Sequence, residues 1–323
     1  MPRQRPSSPR SRLAPLLALL ALPACDVLQT GLEDTLAFEY VSTDRLIPIA
    51  FATPIAAGLS VDVKVYLADG DRVPATISLA RSTDQDVVRV TATEPHGFTL
   101  TALRAGTAEV EVVSAAGNDH FALTVADLGR VDLTYPGPSL APATPPVRIA
   151  QGGTARFGFT LKDASARLLV GYGALPVTIA PTSAATEVAG RSTGQWSARF
   201  DSLGLVTLAP LGGAPLEVTV VPAADITSLA LAVGTASPGA APEPIQVGAT
   251  TSLLVEATTD LAERVLGLSG VVSVATLTPE VCGLEAAPLY GDAAYRLVGL
   301  TRGVCEVRAD LGGLATTATL EVR

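Results

Sequence analysis

The chain repeats itself. Pro54-Ile55-Ala56-Ala57-Gly58, Arg148-Ile149-Ala150-Gln151-Gly152 and Pro244-Ile245-Gln246-Val247-Gly248 each place Ile-x-x-Gly ahead of an alternating apolar run. The isoleucines fall 94 and 96 residues apart. A second signal recurs near the end of the first and third copies. Leu103-Arg104-Ala105-Gly106, then Val110, Leu123 and Val125, matches Leu300-Thr301-Arg302-Gly303, then Val307, Leu320 and Val322, every member displaced by 197 residues. The middle copy is more divergent, with Leu203-Gly204, Val206, Leu208, Leu216, Val218 and Val220 in the corresponding place. Self-similarity at a fixed period means a row of like structural units. Here the period predicts three units of about 95 residues.

The pattern inside a unit predicts strands. Val61, Val63, Val65 and Leu67 alternate with Asp62, Lys64 and Tyr66, a period of two with one buried face. Leu36, Phe38 and Tyr40 precede that run. Val88 and Val90, then Phe98 and Leu100, then Ala108, Val110 and Val112, then Phe121, Leu123 and Val125 follow it. Asp69-Gly70-Asp71 reads as a turn, and Gly117-Asn118 as the tight turn of a hairpin. The proline-rich stretches Pro136 to Pro146 and Pro238 to Pro244 each follow a first strand (Val131, Leu133; then Leu229, Leu231). They read as bends where that strand crosses between sheets, because proline is excluded from central ladder positions. Apolar residues make up 48% and charged ones 16%, so the chain is globular rather than disordered. The fold class expected is all-β.

About seven short strands in a unit of this length is the size and pattern of an immunoglobulin-like sandwich. On these residues the chain resembles the bacterial Ig-like domains, particularly their second group, found in adhesins and surface proteins. In that family a glycine-containing signal precedes the second strand, and Leu-x-x-Gly-x-x-x-Val precedes the closing hairpin. Gly58, Gly152 and Gly248 match the first signal. Gly106 and Gly303 match the second in full, and Gly204 in part. Val281-Cys282 and Gly303-Val304-Cys305 resemble a variant with a cysteine pair; allowing a two-residue gap, Cys282 takes the place of Val87, and Cys305 that of Ala108. The resemblance covers most of residues 35–323. It implies three tandem Ig-like sandwich domains, at 35–128, 129–225 and 226–323. Its motifs are structural glycines and aliphatics, so they specify fold and not ligand.

A basic segment (Arg3, Arg5, Arg10, Arg12) followed by the apolar run Leu13 to Leu22 is the layout of a secretory signal peptide. The run is shorter than the roughly 20 apolar residues a membrane span needs, and Pro15 interrupts it. Leu22-Pro23-Ala24-Cys25 resembles a bacterial lipobox. That implies removal of residues 1–24, lipid on Cys25, and a tether over 25–34 that holds the array to a membrane of the bacterial envelope. Each buried methylene of the lipid would add about 0.8 kcal/mol of anchoring. The alternative is cleavage by the general peptidase, with Cys25 left as a thiol. If Cys25 carries lipid, Cys282 and Cys305 remain as a pair, and an oxidising compartment favours their disulfide. Free thiols and a metal site are the weaker readings, since two cysteines without a nearby histidine cannot complete a four-ligand zinc site.

Cleavage would remove four arginines and no acid, taking the net charge from −9 to −13. Such a chain repels nucleic acid. Gly190-Arg191-Ser192-Thr193-Gly194 fits the Gly-x-Ser-x-Gly nucleophile pattern. That pattern requires a helix after it and a histidine downstream. A strand-like run (Trp196, Ala198, Phe200) follows instead, and His96 and His120 both lie upstream, so it reads as a glycine-rich hairpin loop. Both histidines read as surface residues. Asp69 with Asp71, and Asp84 with Asp86, read as turn carboxylates. Asp127, Asp132 and Asp225 fall near unit boundaries, where calcium would be the alternative. Trp196 reads as core rather than a sugar-stacking platform. No catalytic residues, metal ligands or cofactors are expected. The function expected is a non-catalytic, membrane-anchored spacer, adhesion or protein-interaction module. Its partners would be the membrane, through Cys25, and an unidentified envelope or extracellular protein or glycan. The alternative is a carbohydrate- or peptidoglycan-binding module.

Overall fold

A computed structural model describes residues 28–41, 49–69, 71–135, 146–234, 241–287 and 293–323. The leader, Cys25 and most of the first proline-rich stretch lie outside the described residues.

The first unit comprises β1 (Leu28–Thr30), β2 (Leu36–Tyr40), β3 (Ile55–Ala56), β4 (Ser60–Leu67), β5 (Ile77–Ser82), β6 (Val88–Glu94), β7 (Gly97–Ala102), β8 (Gly106–Ser114) and β9 (Gly117–Ala126). They form two sheets, β1-β2-β4-β7-β6 and β3-β9-β8-β5, with β3 parallel to β9. In chain order this is the A-B-E-D and C-F-G arrangement of an immunoglobulin sandwich, with β3 as a short added strand beside the last.

The second unit comprises β10 (Arg130–Thr134), β11 (Val147–Ala150), β12 (Thr154–Lys162), β13 (Leu168–Leu169), β14 (Val177–Ala180), β15 (Ala185–Val188), β16 (Gln195–Phe200), β17 (Gly204–Pro210) and β18 (Leu216–Val221). Its sheets are β10-β12-β16-β15 and β11-β18-β17-β14. The third comprises β19 (Ile226–Val233), β20 (Thr250–Thr259), β21 (Arg264–Leu266), β22 (Ser273–Thr276), β23 (Cys282–Ala286), β24 (Ala294–Gly299), β25 (Gly303–Leu311) and β26 (Leu314–Val322). There β19-β20-β24-β23 faces β22-β25-β26, and Ile245 bridges Val322 in parallel, where β3 and β11 stand in the other units. The all-β, Ig-like expectation therefore holds.

Each sandwich closes on the alternating residues. In β4, Val61, Val63 and Val65 are buried while Lys64 is exposed. The first core stacks Phe38, Phe51 and Phe121, with Phe121 4.5 Å from Phe38 and 5.0 Å from Phe51 between ring centroids. The second packs Phe157 against Trp196 at 5.5 Å. Among the described residues the third core contains no buried ring; aliphatics surround the Cys282–Cys305 disulfide, whose Cα atoms are 5.6 Å apart. The proline stretches join strands of opposite sheets, β10 to β11 and β19 to the Ile245 bridge.

Three expectations change. Residues 28–30 are not tether: they form β1, paired antiparallel with β2. The turn that follows them is held by Asp119, a buried carboxylate that accepts from the amides of Glu33, Thr35 and Leu36 at 2.9 Å and of His120 at 2.8 Å. Burial pushes the Asp119 carboxyl up, but the four amides hold it below the usual carboxylate range. The β8–β9 turn is Ala115-Ala116, while Gly117 already pairs with Ser114. Glycine stands there because its φ is +145° and a Cβ would lie 2.8 Å from the Thr35 side chain. Finally, Cys282 pairs with Gly299 as Val88 pairs with Ala102. The counterpart of Cys282 is thus Val88, and not the neighbouring Val87 that a two-residue gap implies. The β23–β24 hairpin is three residues longer than β6–β7, a length that periodicity alone does not locate.

Candidate functional site at the junctions between units

The repeated glycines shape the edges on which the units meet. Gly58, Gly152 and Gly248 have φ of +84°, +78° and +81°. Around Gly58 and Gly248 nothing lies within 4 Å of a built Cβ, so the requirement is the left-handed backbone and not space. Each turns the chain from the short edge strand (β3, β11 or the Ile245 bridge) into the long strand that follows. Gly106 and Gly303 instead meet a side chain: a Cβ would lie 3.0 Å from Val87 and 3.1 Å from Val281. Gly204 has φ +103° with open space around it.

At the first junction the second unit adds backbone to the first. The Val170 amide donates to the Pro54 carbonyl and the Ala56 amide to the Val170 carbonyl, both at 2.9 Å. Two further bonds join Ser60 and Tyr172, at 2.9 and 2.8 Å. Gly171 permits this approach, because a Cβ there would lie 2.7 Å from Leu59. Val170 is buried in the core of the first unit, and Ala56 and Leu59 are buried in that of the second. A polar cluster crosses the same junction. Asp62 accepts from Thr99 and Tyr172 at 2.7 Å each and from Arg191 at 2.8 Å. Arg191 also donates to Thr99 at 3.0 Å and lies over the Tyr172 ring. Burial, then the hydrogen bond to Asp62, pushes the Tyr172 hydroxyl up. Tyr172 and Asp62 both hold the Arg191 guanidinium protonated.

The second junction repeats the arrangement. Residues of β11 pair in parallel with β21, Arg148 with Val265 and Ile149 with Leu266. One sheet therefore runs β18-β11-β21-β20 from the second unit into the third. Gly267 has φ +71°, and a Cβ there would lie 2.4 Å from Ile149. The Thr154 amide donates to Ser269 at 2.9 Å. Arg148 pairs with Glu263, which holds that carboxyl below its ordinary range and the guanidinium above its own.

Of the remaining sequence candidates, the glycine-rich motif lies at the first junction, and Asp225 stands near enough to the second to act on Arg148. Gly190 to Gly194 forms the loop between β15 and β16, and its Arg191 makes the contact just described. Trp196 is buried and donates to Glu187 at 3.0 Å. His96 is exposed beside the Ala75 carbonyl, and His120 is half-buried in β9. Asp84 accepts from the amides of Asp86 and Val87, and Asp69 from that of Asp71. Asp132 is held below the usual range by Lys162 and then Arg130. Among the described residues no group of three or more His, Cys, Asp or Glu is placed to hold a metal, and no helix is long and apolar enough to cross a membrane. The sequence did not single out Gly171 and Gly267, although each follows an aliphatic pair (Leu169-Val170, Val265-Leu266), and that shared pattern was the available signal.

The strand order and the junctions define a tandem array of Ig-like sandwiches. No family model matches the chain, and no curated protein matches it. Among solved structures it is similar to domains 4–9 of the surface-layer protein SbsC (18% identity, TM-score 0.30, 91% of this chain, 45% of that one). It is also similar to the Escherichia coli adhesin FdeC (13%, 0.26, 84% and 94%), and to invasin, a bacterial integrin-binding protein (12%, 0.23, 89% and 60%). The chain thus spans under half of the SbsC fragment. The fold assignment rests on the strand order of the units.

Proposed function

We propose that this chain is a non-catalytic lipoprotein of a bacterial cell envelope. Its leader ends at residue 24, Cys25 carries lipid, and 35–128, 129–225 and 226–323 are three Ig-like domains of the second bacterial group. The array acts as a spacer that carries an interaction surface away from the membrane. The observation that supports this reading most is the backbone pairing across both junctions. Hydrogen-bonded continuity suits a part that transmits position better than one that moves around a substrate.

The test is fractionation of cells producing wild type and Cys25→Ala, followed by protease treatment of intact cells. Wild type in the membrane fraction and the variant released support anchoring through Cys25. Proteolysis of the array on intact cells then places it outside, and protection places it in the periplasm. Identical fractionation of the two proteins removes the lipid anchor from the reading.

A further inference from the structure

The three units carry the same edge, and in two of them it is occupied. Ile55-Ala56 receives Val170, and Ile149-Ala150 receives Leu266. Both isoleucines and both alanines are buried, and each alanine lies in the core of the unit that follows. The third copy of the edge is Ile245-Gln246-Val247. There Ile245 is only half-buried, Gln246 is exposed, and Val247 is 49% exposed. Among the described residues the Gln246 amide has no partner, whereas its counterpart Ala56 donates to Val170. A shallow hollow beside the edge is lined by Gln246, Arg302, Val304 and Arg323.

We infer that this edge is a docking site for an extended aliphatic–glycine segment of an Ig-like unit other than the three described, added as a parallel strand. The occupant follows from the two filled copies. In each, a valine or leucine bonds to the edge, and the next residue is glycine because a Cβ would strike Leu59 or Ile149. Such strand addition takes its affinity from main-chain bonds and its selectivity from the side chains on either side. A second copy of this chain does not fit. Its Val170 and Leu266 are engaged, and the corresponding residue of the first unit is Pro74, which bridges Tyr66 as the same register requires. Proline has no amide proton to donate. The inference rests on the array geometry and not on the anchor, so failure of the Cys25 test leaves it standing.

The experiment uses the full chain, 15N-labelled, titrated with a peptide of residues 158–173, which contains the Leu169-Val170-Gly171 segment. The expected result is saturable movement of the Gln246 and Thr250 amide signals. N-methylation of the peptide at the Val170 position should weaken binding about tenfold, the loss of one hydrogen bond. No movement at Gln246 overturns the proposal, as does equal binding of the N-methylated peptide. Concentration-dependent self-association of the chain, with shifts at both Gln246 and Val73, overturns the choice of occupant. The peptide variant leaves the protein untouched, so misfolding does not enter the comparison.

Discussion

Arg191 reaches across 129 residues of sequence to donate to Asp62 at 2.8 Å, tying the β15–β16 loop of the second unit to β4 of the first. Arg191 is 60% exposed at its side chain, so the pair is screened and its contribution is small. Arg191→Ala should destabilise the first junction by less than about 1 kcal/mol, and less still at high salt. Tyr172→Phe removes a donor to the same carboxylate and should cost about 1 kcal/mol. Hydrogen exchange at the Ala56 amide in each variant reads the junction directly. Unchanged protection in both would show that the backbone bonds suffice.

Gly267 and Gly248 separate two causes of strain. Both have positive φ, but a Cβ on Gly248 meets nothing within 4 Å while one on Gly267 meets Ile149 at 2.4 Å. Gly248→Ala should therefore cost only the left-handed backbone, about 1 kcal/mol. Gly267→Ala should cost about 3 kcal/mol and open the second junction. Thermal melts together with limited proteolysis between the units check this. Equal losses in the two variants would mean the close approach is relieved by movement of Ile149.

Asp119 makes the first unit acid-sensitive. Its folded carboxyl titrates below its unfolded value of about 3.9. Its contribution is therefore complete above that pH and is lost as pH falls through the lowered folded value. Asp119→Asn should lower stability at pH 7 and flatten the acid dependence below the unfolded value. Urea unfolding followed across that range is the measurement. A parallel loss of stability with acid in both proteins would assign the sensitivity to other carboxylates.

The Cys282–Cys305 bridge closes a loop between residues 23 apart in sequence, inside a core of aliphatic side chains. Reduction should cost the third unit about 3 kcal/mol by the chain-entropy account. The first unit should be unaffected. Mass-spectrometric hydrogen exchange with and without reductant resolves the units, and Trp196 fluorescence reports the second alone. Equal loosening of all three would mean that the junctions make the array one cooperative block.

Strands, their alternation and the period were legible because burial of one sheet face leaves a mark at every second residue, as at Val61, Val63 and Val65. The turn glycines were legible because Gly58, Gly152 and Gly248 share one backbone requirement in three copies. Asp119 was not legible: an aspartate in a strand looks like surface until the four amides around it are known. Nor was the partner of Arg191, since a contact between loop and strand leaves no periodic trace. Gly171 and Gly267 were hidden for a further reason. The first unit places Pro74-Ala75 at their position, so the motif is present in only two of three copies.

That proline has a consequence for assembly. A donor segment at one end of a molecule and an open acceptor edge at the other make a heterologous contact, and such contacts propagate into open filaments when no rotation closes them. With valine and glycine in place of Pro74 and Ala75, each chain would present a donor to the Gln246 edge of the next. The pyrrolidine ring removes the amide donor, and the Ala75 Cβ stands where both filled edges require glycine. The acceptor edge then stays available without the molecule becoming the monomer of its own fibre.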